Sequence, residues 1–270
     1  MQKYIQYLDS TFSYFVYGTG KQTVFCFPGY GSRGEQFGLL EPYIGNDFTL
    51  ISLELPFHYG TRWREHRMFF VSDLEAVMGL ITKEENLAED IWLAGFSLGG
   101  RIAINYFQQR PQHIKKLVLL APDGMHKIFW YWLIVETHFG NFLLRMLNRS
   151  SKWAEKLIKF FYNIKAISAS MYVMAKEIIT YKEERKLLVK RWITFRKMHP
   201  DLKKFGENLQ KYHVKALVLF GEHDKVIAPA TVKHLKKVAP EQITTFTINA
   251  GHILLREPHL KEITKLFYMS

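Results

Sequence analysis

Three residues of this 270-residue chain have the types and the setting for nucleophilic catalysis: Ser97, His252 and an acid to hold the histidine. Ser97 is the centre of Gly95-Phe96-Ser97-Leu98-Gly99, a G-x-S-x-G pattern. An apolar strand pattern over 91–94 precedes it, and a helical pattern over 98–109 follows. A serine in a sharp strand-to-helix turn needs glycines two before and two after, because a Cβ at either place would clash. The turn exposes the hydroxyl, and the helix N-terminus favours the negative charge that develops on an attacked carbonyl. A serine hydroxyl is a weak nucleophile and needs a base. His252, in Asn249-Ala250-Gly251-His252, leaves the last strand pattern and is the candidate; His58, His223 and His259 are its competitors. Gly221-Glu222-His223-Asp224 follows a strand ending at Phe220, which makes Asp224 the first choice of acid and Glu222 a solvated turn residue. Phe27-Pro28-Gly29-Tyr30-Gly31, after the first apolar strand, offers a Gly-rich turn whose Tyr30 N–H, with that of Leu98, could face an oxyanion.

These residues need a scaffold. Short apolar runs over 23–27, 48–53, 91–94 and 117–120 read as buried strands, separated by helical patterns over 71–81 and 98–109. Such alternation predicts a parallel sheet covered on both faces. Residues 12–17 add one or two antiparallel edge strands. Alternation stops near Asp123; from about 127 to 200 the patterns are helical. Strand patterns resume at 216–220 and 244–248, and 257–268 reads as a closing helix. The expected organisation is an α/β core of residues 1–122 and 216–270, with a helical insertion at 123–215.

Composition narrows the partners. The lone cysteine, Cys26, lies in an apolar strand and reads as a core side chain; no intramolecular disulfide is possible. The N-terminus lacks the apolar stretch of a signal peptide, and the apolar run over 128–135 falls short of the ~20 residues a spanning helix needs. A cytoplasmic enzyme is expected. The net charge is +12, and residues 127–215 hold 19 Lys and Arg against 7 Asp and Glu, so this segment carries the whole excess. It could be a solvated face, attract an anionic substrate, or contact an anionic surface. Nucleic acid is not expected, since no nucleic-acid motif accompanies the charge. The aromatic run Phe129-Trp130-Tyr131-Trp132 is either insertion core or an apolar wall for an acyl group, with Trp130 a candidate substrate contact.

Taken together, the Pro28–Gly31 turn, Leu55-Pro56-Phe57-His58-Tyr59-Gly60, the turn at Ser97, Gly221–Asp224 and Gly251-His252 resemble the α/β-hydrolase superfamily over the whole core. The resemblance implies the α/β-hydrolase fold, a mostly parallel sheet with helices on both faces and a helical cap insertion. It implies a Ser97, Asp224, His252 triad in that chain order, with Asp123 a second possible acid because some relatives place it there. Two departures stand out. Pro28 replaces the usual histidine of the first turn, and Phe57 replaces the first glycine of Pro-Gly-His-Gly, leaving His58 as a turn residue bonded to backbone. The implied activity is hydrolysis of a carboxylic ester or thioester with an apolar acyl part, needing no metal or organic cofactor. Gly95-Phe96-Ser97-Leu98-Gly99-Gly100-Arg101 is also similar to the turn of menaquinone-pathway enzymes that eliminate pyruvate to form a succinyl-hydroxycyclohexadiene-carboxylate. That similarity implies a lyase in which Arg101 binds a substrate carboxylate; otherwise Arg101 is a helix residue paired with a nearby carboxylate. A binding protein that kept the fold is a third class, disfavoured because it has no need of a serine, an acid and a histidine in these three loops.

Overall fold

A computed structural model describes residues 1–125, 151–165, 169–227 and 237–269, with isolated positions 137, 139, 140, 142, 146 and 167. By contacts between Cα atoms the chain forms two compact units.

The first unit comprises Met1–His66, Phe70–His126 and Met198–Ser270. Its centre is an eight-stranded sheet in the order β1-β2-β4-β3-β5-β6-β7-β8. β1 (Gln2–Tyr7) and β2 (Ser10–Tyr17) are the antiparallel edge the sequence predicts, and β2 pairs antiparallel with β4 (Phe48–Leu53). β3 (Gln22–Phe27), β5 (Ile91–Phe96), β6 (Ile114–Leu120), β7 (Lys215–Gly221) and β8 (Ile243–Ile248) continue in parallel. All six residues of β4 are buried, as are most of β3, β5, β6 and β7. That is why these strands read as unbroken apolar runs: each is covered on both faces. Cys26 lies fully inside this core, where burial alone pushes its thiol well above the ordinary range and makes it inert.

The helices that cover the sheet include α1 (Glu41–Ile44), α2 (Val71–Glu84) and α3 (Leu98–Gln109). Past the insertion come α7 (Leu202–Lys211) and α8 (Leu260–Tyr268). α8 begins three residues later than the sequence predicts. Pro258 disfavours helical backbone at Glu257, and the His259 N–H instead closes a turn on Arg256 O at 2.9 Å. α7 falls with the first unit, although it lies inside the 123–215 segment. The Phe107 and Phe205 rings meet edge to face at 5.7 Å, Asn105 Nδ2 donates to His199 O, and Gln108 Oε1 accepts from the Asp201 N–H. Asp201 also caps α7, accepting from Lys203 N and Lys204 N.

The second unit comprises Arg67–Phe69 and Lys127–Lys197. Its helices are α4 (Ser151–Asn163), α5 (Ala169–Thr180) and α6 (Lys182–Phe195). They share a small core of Ala154, Ile179 and Val189, with Leu157, Ile158, Trp192 and Ile193 packed against it. Buried Arg185 donates to Ile179 O at 2.5 Å, satisfying a carbonyl at the end of α5.

Candidate active site

Strand register decides where the site forms. Phe27 pairs with Gly95, Phe96 with Leu120, Leu120 with Leu219, and Gly221 with Ile248. The C-terminal ends of β3, β5, β6, β7 and β8 are therefore level, and the loops that leave them open on one edge of the sheet. This is the edge where parallel α/β sheets place their ligands.

Ser97 stands between β5 and α3 with φ 51° and ψ −114°. Such backbone is sparsely populated by residues with a Cβ and stores about 1–3 kcal/mol. Neighbours hold it there: Ser97 N donates to Leu120 O at 2.9 Å, and Ser97 O accepts from Asp123 N at 2.9 Å and Arg101 N at 3.2 Å. The flanking glycines are required by close approach. A Cβ on Gly99 would lie 1.8 Å from Phe27 O, and one on Gly95 would lie 2.5 Å from Gly99 O.

His252 reaches Ser97 from the loop after β8. Its Nε2 is 3.0 Å from Ser97 Oγ, and its Nδ1 is 2.7 Å from Asp224 Oδ2. The Asp224 side chain is fully buried and the imidazole is 19% exposed. A carboxylate removed from water needs its acceptor sites filled. Here Oδ1 accepts from Val226 N at 2.7 Å and Ile227 N at 2.8 Å, which leaves Oδ2 for the histidine. Phe96 lies beside the imidazole, ring centroids 5.3 Å apart. Sequence reasoning missed these three contributors. Two are backbone N–H groups with no side-chain signature, and Phe96 enters there only as an unspecified position of the G-x-S-x-G pattern.

The other candidates fall elsewhere. Glu222 and His223 are exposed, as their turn predicts. His58 is buried, with Nδ1 3.0 Å from Pro56 O and its ring edge-on to Tyr30. The Asp123 carboxylate is engaged by other groups: Oδ1 accepts from Gly124 N at 2.7 Å and Oδ2 lies 3.4 Å from Arg101 Nη1. Arg101 has a side chain only 6% exposed, against 35% for Asp123. Leu98 is the first residue of α3, where N–H groups have no acceptor within the helix. Tyr30 lies just past β3, with Ser32 N closing the turn on Gly29 O at 3.1 Å. Trp130 lies outside the described residues. Among the described residues, no cluster of three or more His, Cys, Asp or Glu is placed to hold a metal ion.

Residues 60–259 match the hydrolase family described as serine aminopeptidase, S33, a span that contains Ser97, Asp224 and His252. The chain belongs to this family. It is thus a hydrolase of the α/β-hydrolase superfamily, and its sheet is the fold of that superfamily. An uncharacterized hydrolase of Bacillus subtilis (strain 168), YugF, is 26% identical over 245 residues, 88% of this chain and 86% of that protein. Lipase 1 of Psychrobacter immobilis is also 26% identical, over 184 residues; the match takes 66% of this chain and 54% of the lipase, about half its length. A thermophilic esterase from Thermogutta terrifontis has the same fold, with a TM-score of 0.69 over 99% of this chain and 98% of that one, at 15% identity.

Proposed function

We propose that this hydrolase cleaves carboxylic esters or thioesters with an apolar acyl part, using Ser97 as nucleophile, His252 as base and Asp224 as the acid that holds it. The observation that carries the reading is the unbroken chain from Ser97 Oγ through His252 to Asp224, 3.0 Å and then 2.7 Å. Ser97 Oγ attacks the carbonyl carbon while its proton passes to His252 Nε2. The Asp224 carboxylate, acceptor for Nδ1–H, fixes the tautomer with a bare Nε2 and stabilises the imidazolium that forms. The oxyanion settles against the N–H groups of Tyr30 and Leu98. Collapse expels the alcohol or thiol, which takes the proton back from Nε2. Water, deprotonated by the same nitrogen, then releases the acid from Ser97. Lipase-named relatives support an ester substrate, and a cytoplasmic setting is proposed on the lone buried cysteine.

The test is a series of p-nitrophenyl esters of graded chain length, run beside a pyruvate-release assay. Turnover that improves with chain length is the expected result. No turnover of any ester would overturn the proposal, and pyruvate release from a suitable precursor would put the lyase in its place.

Arg101 separates the two chemistries. Its burial against Asp123 supports a positioning role: its N–H holds Ser97 O from below, and its guanidinium holds the carboxylate of a second residue bonded to that same oxygen. Arg101→Ala is expected to lower stability by about 1–2 kcal/mol, discounted because Asp123 is partly exposed. It is expected to slow neutral and anionic esters alike. A rise in KM confined to anionic substrates, with an unchanged melting temperature, would instead make Arg101 a carboxylate-binding residue.

A further inference from the structure

The second unit has a surface that the proposed chemistry does not use. The inward face of α4 is apolar, with Ala154, Leu157 and Ile158 in the small core. Its outward face carries Lys152, Lys156 and Lys159, at spacings of four and three, with exposed Glu155 beside Lys152 and Lys159, so three ammonium groups and one carboxylate line this side of the helix, a net charge of +2. All three lysines are exposed. Apolar side chains flank the row and its C-terminal end. Phe160, Tyr162 and Ile164 are each 40% or more exposed. Tyr162 stacks on Tyr172 of α5 at 4.6 Å between centroids, which binds the end of α4 to the start of α5. Over the described part of this unit, eight lysines and four carboxylates are exposed.

We propose that this face of the second unit docks on an anionic phospholipid bilayer. The row of lysines supplies attraction to the headgroup charge, and the flanking Phe160 and Ile164 enter the boundary between headgroups and acyl chains. Its chemistry selects this occupant over two others. A second copy of the chain would bring the same cations face to face, and like charges repel. A nucleic acid would be gripped through arginine forks and stacked bases. Here the two arginines of α4, α5 and α6, Arg185 and Arg191, are buried, and Tyr162 and Tyr172 already use a face on each other. Exposed Ile164 has no use on a phosphate backbone but gains from leaving water in a bilayer. Docking does not depend on the catalytic reading.

The full chain is tested by flotation with phosphatidylcholine vesicles, with and without phosphatidylglycerol. The expected result is binding that requires phosphatidylglycerol and weakens strongly between about 0.1 M and about 1 M salt, as the screening length falls from about 10 Å to about 3 Å. Lys152→Glu/Lys156→Glu/Lys159→Glu is expected to lower partitioning by roughly a hundredfold or more. Phe160→Ser/Ile164→Ser is expected to weaken it at both salt concentrations. An unchanged circular dichroism spectrum and unchanged turnover of a short soluble ester identify folded variants. Equal binding to neutral and anionic vesicles, no binding to either, or tighter binding to single-stranded DNA than to anionic vesicles would each overturn the proposal. No turnover of any ester by the parent chain, with its docking to phosphatidylglycerol vesicles intact, would count against the ester-hydrolase reading alone.

Discussion

Ser97→Ala is expected to lower turnover of a p-nitrophenyl ester by at least ~10³-fold while leaving the melting temperature nearly unchanged. The two halves of this result have separate causes. Removing Oγ removes the atom that forms the acyl-enzyme, so what remains is the catalysis of a bound, oriented ester by the oxyanion donors alone. The fold is spared because the bonds that hold the turn run through the backbone of residue 97: its N–H to Leu120 O, and its carbonyl to Asp123 N and Arg101 N. Alanine keeps all of them and meets the same strain at φ 51°. Parallel measurement of kcat and of thermal unfolding by circular dichroism checks both halves. Turnover within tenfold of the parent would remove Ser97 from the chemistry.

Asp224→Asn is expected to cost about 10⁴-fold in turnover, although it changes a single atom. Asp224 Oδ1 takes two backbone N–H groups, from Val226 and Ile227, so the asparagine must keep its carbonyl oxygen there. Its Nδ2 then faces His252 Nδ1 as a donor, where the carboxylate had been an acceptor. The imidazole answers with a bare Nδ1 and its proton on Nε2, and a protonated Nε2 cannot receive the proton of Ser97. Asp123→Asn is the matched control and is expected to cost less than about tenfold, since that carboxylate engages Arg101 and Gly124 N and not the imidazole. If the Asp123 variant were the inactive one and the Asp224 variant the active one, the acid would belong to the strand β6 loop.

What could be read from the sequence divides along the reach of the interactions. The strands of the core were legible because a strand buried on both faces is mostly apolar: 216–220 is so throughout, and 23–27 and 48–53 are broken only by Thr23, Thr49 and Ser52. The turn at Ser97 was legible because Gly95 answers a local clash, with Gly99 O close by in the same turn. Contacts between distant segments were not. Nothing near residue 205 announces that Phe205 meets Phe107, so α7 could not be told from the insertion by its helical pattern. Nor does Arg101 reveal its burial. It lies one helical turn after Ser97, which suits a substrate carboxylate and Asp123 equally, and only the course of the loop after β6 decides between them.

The strand order also says something about how this enzyme fails. Ser97, the proposed nucleophile, hangs from β5, braced by β3 on one side and β6 on the other, whereas His252, the proposed base, hangs from β8, which among the described residues ends the sheet with β7 as its one neighbour. A terminal strand opens at lower free energy than a central one. Ser97 and His252 are therefore anchored with unequal firmness. Warming is expected to separate Nε2 from Oγ through fraying at β8 before the centre of the sheet gives way, so that ester turnover is lost at a lower temperature than the circular dichroism signal.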